Sequence, residues 1–392
     1  MIAMIAELPM EPAAGAKAML RILSPRLSIL LAAALVLSAA MAGAAPVQSA
    51  QAPVQPAAKA APKARTIATP TAAAPAPVPA ARPKKPAPAI NPQLATKANA
   101  ERSRLIGNVR SWAVQMQDVN MAALQAAPVD LIVTDATAGA KGGEALTPEN
   151  VAALKTKPDG NRRIAIAYLS IGEAEDYRTD YFGSEYMTED APDWLMKENA
   201  KWKGNRIIRF CTEGWQRTIL GDDDGHNVYN SVEPSPLYKL IELGFDGVYL
   251  DRVDVYSEVT KECPDAAVKM VDFVARLAAH ARKKNPHFLV ILQNAEELLA
   301  HKKMVETIDA IAKEDLFYGT NHSERENEPS MVKSILADLA IAKTAGRPVF
   351  VLDYLSDPGS RAADRRKIEA QGFIPYIGPR KLDQLWLPGA GY

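Results

Sequence analysis

Eight apolar, β-branched-rich runs, each ending in a polar or aromatic residue and set apart by stretches long enough to hold helices, constrain this chain more than any other feature. The spacing predicts strands over Ser111–Gln115, Val129–Asp135, Arg163–Ser170, Gly244–Asp251, Phe288–Asn294, Ile308–Glu314, Pro348–Tyr354 and Gly372–Tyr376. A strand buried on both faces loses the apolar-polar alternation and reads as a continuous apolar run, and parallel strands need crossovers, usually helical. Two crossovers, Ala266–Lys284 and Ser330–Thr344, carry apolar residues three and four apart, as amphipathic helices do. The expectation is an α/β fold, a (β/α)8 TIM barrel formed by residues 101–392.

The strand ends then matter most, because a barrel gathers the C-terminal ends of all its strands on one rim. A polar residue closing one strand is ordinarily a cap or a turn. A polar end on every run is more than capping requires. Asp251 ends the run Gly244-Phe-Asp-Gly-Val-Tyr-Leu-Asp251 and Glu314 ends the run from Ile308, so both carboxylates are predicted to face one cleft as catalytic groups. Two such carboxylates are what cleavage of a glycosidic bond requires. Asp135, Tyr168, Glu173, Asn294, Glu296, Asp353, Tyr354 and Tyr376 are read as substrate binders, supplying hydroxyl partners, aromatic faces and carboxylates for a cationic sugar. Glu173 and Glu296 have an alternative reading as acids at helix N-termini. Asp254 is read as a structural partner of Arg252 or Arg178 rather than as a substrate contact.

Residues 1–45 have the order of a secretory signal peptide: Lys17, Arg21 and Arg26, then the apolar stretch from Leu27, then the small residues Met41-Ala-Gly-Ala-Ala45. The alternative is an uncleaved leader that tethers the protein to a membrane. Residues 46–100 are dominated by Ala and Pro, with basic but no acidic side chains, a composition that cannot bury a core and predicts a disordered linker. The protein is therefore expected to be secreted or periplasmic, in the cell envelope. From Glu101 onward acidic side chains outnumber basic ones by eight, which argues against nucleic acid as a partner. Cys211 and Cys263 are the only cysteines; in an oxidising compartment they permit one disulfide, and otherwise they are two ordinary thiols. The five histidines form no HExxH and no close pair, Asp222-Asp-Asp-Gly lacks calcium-loop spacing and reads as a solvated turn, and no nucleotide-binding glycine motif is present. No cofactor and no metal are expected, and the protein is expected to be a monomer.

The segments Tyr168-Leu-Ser-Ile-Gly-Glu173-Ala-Glu-Asp-Tyr177-Arg178, Gly244 to Asp251, Gln293-Asn-Ala-Glu-Glu-Leu-Leu299, Asp353-Tyr-Leu and Gly372-Phe-Ile-Pro-Tyr376 together resemble the TIM-barrel endo-α-1,4-polygalactosaminidase family of glycoside hydrolases. The resemblance spans about Arg110 to Leu387. It implies a secreted enzyme acting on galactosamine-containing exopolysaccharide, with an Asp after the fourth strand and a Glu after the sixth as the catalytic pair, here Asp251 and Glu314. The Asp222–His226 segment departs from the family pattern.

Two classes of function follow. The first is a glycoside hydrolase in which Asp251, kept charged by hydrogen bonds, is the nucleophile, and Glu314, raised in pKa by desolvation, is the acid and base, with retention of anomeric configuration. The second is a non-catalytic barrel that binds polysaccharide in the envelope or a biofilm matrix. The presence of both strand-end carboxylates favours the enzyme. A metal-dependent deacetylase is disfavoured by the missing Asp/His cluster.

Overall fold

The structure, a computed structural model, describes residues 92–139, 143–178, 191–228, 233–320 and 323–387. The signal peptide and most of the linker lie outside these residues. The last part of the expected linker does not behave as one: a helix runs Pro92–Gly107, with Ala98 buried and Arg102 paired to the barrel through Asp309. Gln, Leu, Ala and Lys are good helix formers, and this stretch holds enough of them to outweigh the Pro/Ala character of the segment before it.

In chain order the strands are β1 Trp112–Gln115, β2 Leu131–Thr134, β3 Ile164–Ser170, β4 Glu173–Glu175, β5 Leu195–Glu198, β6 Asn205–Ile208, β7 Gly247–Asp251, β8 Leu289–Gln293, β9 Ala310–Glu314, β10 Val349–Asp353 and β11 Ile374–Ile377. Eight of them form one parallel sheet in the order β1-β2-β3-β7-β8-β9-β10-β11. Its two ends meet, with the Trp112 indole N–H donating to the Ile374 carbonyl at 3.0 Å. The sheet is the (β/α)8 barrel that the apolar runs predict. Inside it Trp112 packs on Phe350, Tyr376 and Tyr249, with ring centroids 5.1, 6.0 and 6.4 Å away, so the interior is a filled core and not a channel. The helix Ala266–Lys284 forms as predicted and buries the stripe Met270, Phe273, Val274, Leu277 and Ala281.

The strands begin one to three residues later than the apolar runs suggest. At three of them the residue just before the strand is an Asp that ties neighbouring strands together. Asp130 accepts from the Arg110 and Ser111 amides, Asp246 from the Ala165 amide at 3.0 Å, and Asp309 from the Val290 amide at 2.8 Å. Each is also paired with cations: Asp130 with Lys157, Asp246 with Lys155 and Arg162, Asp309 with Arg102 and Arg282. Close strand approach explains a glycine as well: a Cβ on Gly247 would lie 2.3 Å from the Leu289 carbonyl oxygen.

Between β3 and β7 the chain adds a small antiparallel sheet in the order β4-β6-β5. It is seated by Trp194 against Trp215, with centroids 4.8 Å apart, and by the Trp215 indole N–H donating to the Ile171 carbonyl at 2.8 Å. Of the two readings left open for the cysteines, the disulfide is the one found: Cys211 is bonded to Cys263 across 52 residues, joining the segment after β6 to the one after β7. No helix among the described residues is long and apolar enough to cross a membrane.

A crosslink over a loop of this length restricts the unfolded chain by about 4 kcal/mol on the loop-entropy account. Cys211→Ser is accordingly expected to lower the denaturant midpoint, by an amount that reductant reproduces in the wild-type protein and does not add to in the variant.

Candidate active site

Strands β7, β8 and β9 leave the barrel through left-handed residues: Arg252 after Asp251, Asn294 and Ala295 after Gln293, and Asp315 after Glu314. Non-glycine residues pay roughly 1 kcal/mol or more to sit there, so this clustering marks a rim where backbone strain is tolerated for a purpose. The turns lie beside a cleft of about 310 Å³, whose lining includes Asp251, Glu314, Tyr249, Gln293, Asn294 and Tyr354.

Asp251 closes β7. Its Oδ2 accepts the Tyr168 hydroxyl at 2.8 Å and its Oδ1 the Arg252 amide at 2.7 Å. Glu314 closes β9 and is held more fully. Oε1 accepts the Tyr354 hydroxyl, and Oε2 accepts the Gln293 and Asn294 side-chain amides. The Asn294 side-chain oxygen in turn accepts the Glu314 backbone N–H at 3.0 Å, so one amide holds both the backbone and the carboxylate of Glu314. Period-2 alternation places Tyr249 on the same face as Asp251, two residues along β7. Tyr249 lines the cleft, and neither its buried hydroxyl nor the Gln293 side-chain oxygen meets a hydrogen-bond partner among the described residues.

The electrostatics depart from the sequence expectation in one respect. Glu314 is raised above its ordinary value by burial, as predicted, although the Tyr354 and Asn294 hydrogen bonds pull it back. Asp251, expected to stay charged, is also raised, to about 7, by burial first and the Glu314 charge second; the Tyr168 hydrogen bond only partly offsets these. The hydrogen bonds do hold Asp251, but they are too few to outweigh desolvation and a neighbouring like charge. Burial thus favours the protonated form of both carboxyl groups, and a charge on Glu314 favours it further at Asp251.

Of the expected binders, Asp135, Tyr168, Glu173, Asn294 and Tyr354 line the cleft. Three do not, and each has a structural reason. Glu296 follows the left-handed pair Asn294-Ala295 and folds onto Lys313 at 3.1 Å; Lys313 neighbours the inward-facing Glu314 and so points out of the barrel. Asp353 lies between the cleft-lining Leu352 and Tyr354 on β10 and points outward, where it accepts the Leu316 and Phe317 amides at 2.7 and 3.2 Å. Tyr376 is buried against Trp112 and accepts the Trp386 amide. Asp254 pairs with Arg252 at 3.1 Å, one of the two partners foreseen.

Other contributors were not read as site residues from sequence. Arg178 bridges Asp135, at 2.5 Å, and Glu175, and its guanidinium lies over the Tyr168 and Tyr177 rings. Glu175 also accepts the Tyr177 hydroxyl at 2.7 Å. Tyr249 could have been found by counting two residues back from Asp251. Arg380 pairs with Asp315 at 2.8 Å and stacks over Tyr354; it follows the last strand, where no local pattern points to it. Asp222, Asp224 and His226 converge in an exposed turn outside the cleft lining, where the Asp222 carboxylate accepts the Asp224 and His226 amides.

Comparison with known proteins places these features. The model of glycoside-hydrolase family GH114 matches residues 92–387. An uncharacterised protein of Deinococcus radiodurans is 33% identical over 283 residues, 71% of this chain and 83% of that protein. The uncharacterised protein MJ1477 of Methanocaldococcus jannaschii is 31% identical over 295 residues, 70% of this chain and 79% of that one. Among solved structures, the glycoside hydrolase domain of PelA from Pseudomonas aeruginosa shares the fold, with a TM-score of 0.53 and 20% identity over 71% of this chain and 97% of that domain.

Outside the cleft, Asp353 meets a second fully buried carboxylate, Asp364, whose oxygens find no donor among the described side chains and amides. Burial raises both, and a proton held on Asp353 is what makes the pair tolerable. A raised carboxyl pKa contributes stability that is full in acid and is lost as pH rises through the folded-state value. Asp364→Asn supplies a donor without needing that proton, so its melting temperature relative to wild type is expected to improve as pH is raised from 5 to 8. A constant difference across that range would mean that no proton is shared.

Proposed function

The chain belongs to glycoside-hydrolase family GH114, and on that premise we propose that it hydrolyses α-1,4-linked, galactosamine-containing exopolysaccharide through Asp251 and Glu314. It is a glycoside hydrolase, and its substrate is a polysaccharide. The observation that carries the finer reading is the pair itself: two partly buried strand-end carboxylates in one cleft, close enough for the charge of one to raise the pKa of the other. Glycosidic cleavage needs one group protonated for the leaving oxygen and one ionised for the developing cationic carbon.

In the proposed cycle Glu314 protonates the departing oxygen while Asp251 attacks the anomeric carbon. Water then hydrolyses the glycosyl-enzyme, with Glu314 taking its proton, so configuration is retained. In the free cleft burial and the Glu314 charge favour the protonated form of Asp251. An amino sugar changes the balance, because positive charge beside Asp251 lowers its pKa and leaves the proton with Glu314. The Tyr168 hydroxyl and the Arg252 amide orient Asp251, while Gln293, Asn294 and Tyr354 orient Glu314. Asp135, Tyr168, Glu173, Asn294 and Tyr354 frame the sugar beside the pair. The signal-peptide pattern of residues 1–45 and the Cys211–Cys263 bond both support an oxidising location outside the cytoplasm, with residues 46–91 as a spacer.

Reducing-end release from partially deacetylated α-1,4-galactosamine polymer is expected for the wild type, and Asp251→Asn or Glu314→Gln is expected to lower it by about 10²–10⁴-fold. Activity surviving both substitutions would remove the assignment. Azide rescue assigns the roles: with Asp251→Gly it should give a glycosyl azide of inverted configuration, and with Glu314→Gly a retained one. The opposite pattern would exchange nucleophile and acid.

The pH dependence of kcat/KM should be bell-shaped. Below the acid limb both carboxyls are protonated and no nucleophile remains; above the alkaline limb both are ionised and no acid remains. The acid limb is expected above the ordinary glutamate range and the alkaline limb near 7, where Asp251 loses its proton. A profile flat from pH 4 to pH 9 would show that the pair does not control the rate.

A further inference from the structure

The small sheet beside the barrel carries an aromatic side chain that the catalytic scheme does not use. Trp202 sits in the turn joining β5 to β6, lines the cleft, and is 51% exposed, the only exposed aromatic among the large apolar side chains of the described residues. A single exposed apolar side chain is ordinary on a protein surface, but this one sits in the lining of the cleft, where a ligand would cover it. Elsewhere the same segment does pack its tryptophan: Trp194, which precedes β5, is buried against Trp215.

The turn is held in place. Asn199 N–H donates to the Asn205 carbonyl at 2.7 Å, Asn205 N–H to the Trp202 carbonyl at 3.1 Å, and Gly204 N–H to the Glu198 carboxylate at 2.8 Å. Gly204 is left-handed and lies against Asp176, where a Cβ would come within 2.6 Å of the carboxylate. The Asn199 and Asn205 side-chain amides donate to the two oxygens of Glu173, at 2.5 and 3.0 Å, and Glu173 Oε1 also accepts Arg252 Nε at 2.8 Å. Arg252 follows Asp251 directly. An unbroken hydrogen-bonded path therefore runs from the catalytic strand end through Glu173 to the turn that presents Trp202. Gly172 is required by the same junction, since a Cβ there would lie 2.0 Å from the Arg252 carbonyl oxygen.

We propose that Trp202 is the floor of a distal sugar-binding subsite, stacking on the apolar C–H face of a hexopyranose unit of the same polysaccharide, away from the bond that is cut. This inference rests on the glycosidase reading of the cleft and extends it. A flat apolar face beside the polar Asn205 and Glu173 matches a pyranose ring, which offers C–H groups on its face and hydroxyls at its edge. Anchoring through Glu173 keeps the platform at a fixed distance from Asp251. The subsite thus rewards chains long enough to reach both, which is the behaviour of an enzyme that cuts within a polymer.

The test compares kcat/KM on α-1,4-galactosamine oligosaccharides of increasing length for wild type, Trp202→Phe and Trp202→Ala, together with indole fluorescence on titrating the same oligosaccharides into a Glu314→Gln background with and without Trp202→Ala. Stacking of this kind is worth about tenfold. The advantage of long chains over short should fall about tenfold in Trp202→Ala and be largely restored in Trp202→Phe, and the fluorescence response to long chains should disappear with the indole. An undiminished length advantage, with unchanged binding in the Glu314→Gln background, would overturn the subsite while leaving the hydrolase reading intact. No cleavage and no binding of any such oligosaccharide by the wild type would overturn both. Binding without cleavage, lost on Trp202→Ala, would uphold the subsite and overturn the proposed reaction.

Discussion

The constraint on which the rest depends is that eight strands are buried on both faces in one parallel sheet. The flanks of such strands have no room for charge, and the interior of the barrel is filled by Trp112, Tyr249, Phe350 and Tyr376. Polar chemistry can sit only at the two rims. Parallel register then brings side chains of distant strands to the same level: Ser170 lies opposite Asp251, and Leu352 opposite Glu314. Asp251 and Glu314 end strands separated only by β8, near enough for the charge of Glu314 to raise the pKa of Asp251.

The two rims treat carboxylates in opposite ways. At the strand starts Asp130, Asp246 and Asp309 are each met by backbone N–H groups and by Lys or Arg, which ties adjacent strands together. At the strand ends Asp251 and Glu314 are partly buried with hydroxyls and amides for company, and no cation is bonded to either among the described residues. Desolvation therefore dominates there. The strand-start carboxylates are thus bonded to cations, whereas Asp251 and Glu314 are not, among the described residues.

Cations do reach the cleft, one step removed. Arg178 neutralises Asp135 and Glu175, Arg252 neutralises Glu173 and Asp254, and Arg380 neutralises Asp315. Each ion pair fixes a wall residue while leaving the central carboxyls unpaired. Arg252 has a second effect, since its bond to Glu173 links the strand end bearing Asp251 to the small sheet and its exposed tryptophan.

What the amino-acid sequence determined alone was the barrel, through eight apolar runs whose period excludes amphipathic strands, and the positions of Asp251 and Glu314, which a strand that must end polar exposes by counting. The resemblance to a known family rested on the same strand ends. It was silent on which neighbouring polar residues turn inward: Glu296, Asp353 and Tyr376 read like rim residues, yet alternation along β9 and β10 and the left-handed turn after β8 carry the first two outside the wall, and packing on Trp112 buries the third. The cysteine pairing, the Arg178 bridge, the unpartnered Tyr249 hydroxyl, the rise in Asp251 pKa and the placing of Trp202 were decided by tertiary structure alone. Each depends on the distance between segments remote in sequence and on how much water is excluded between them, and neither quantity is written in a local pattern of residues.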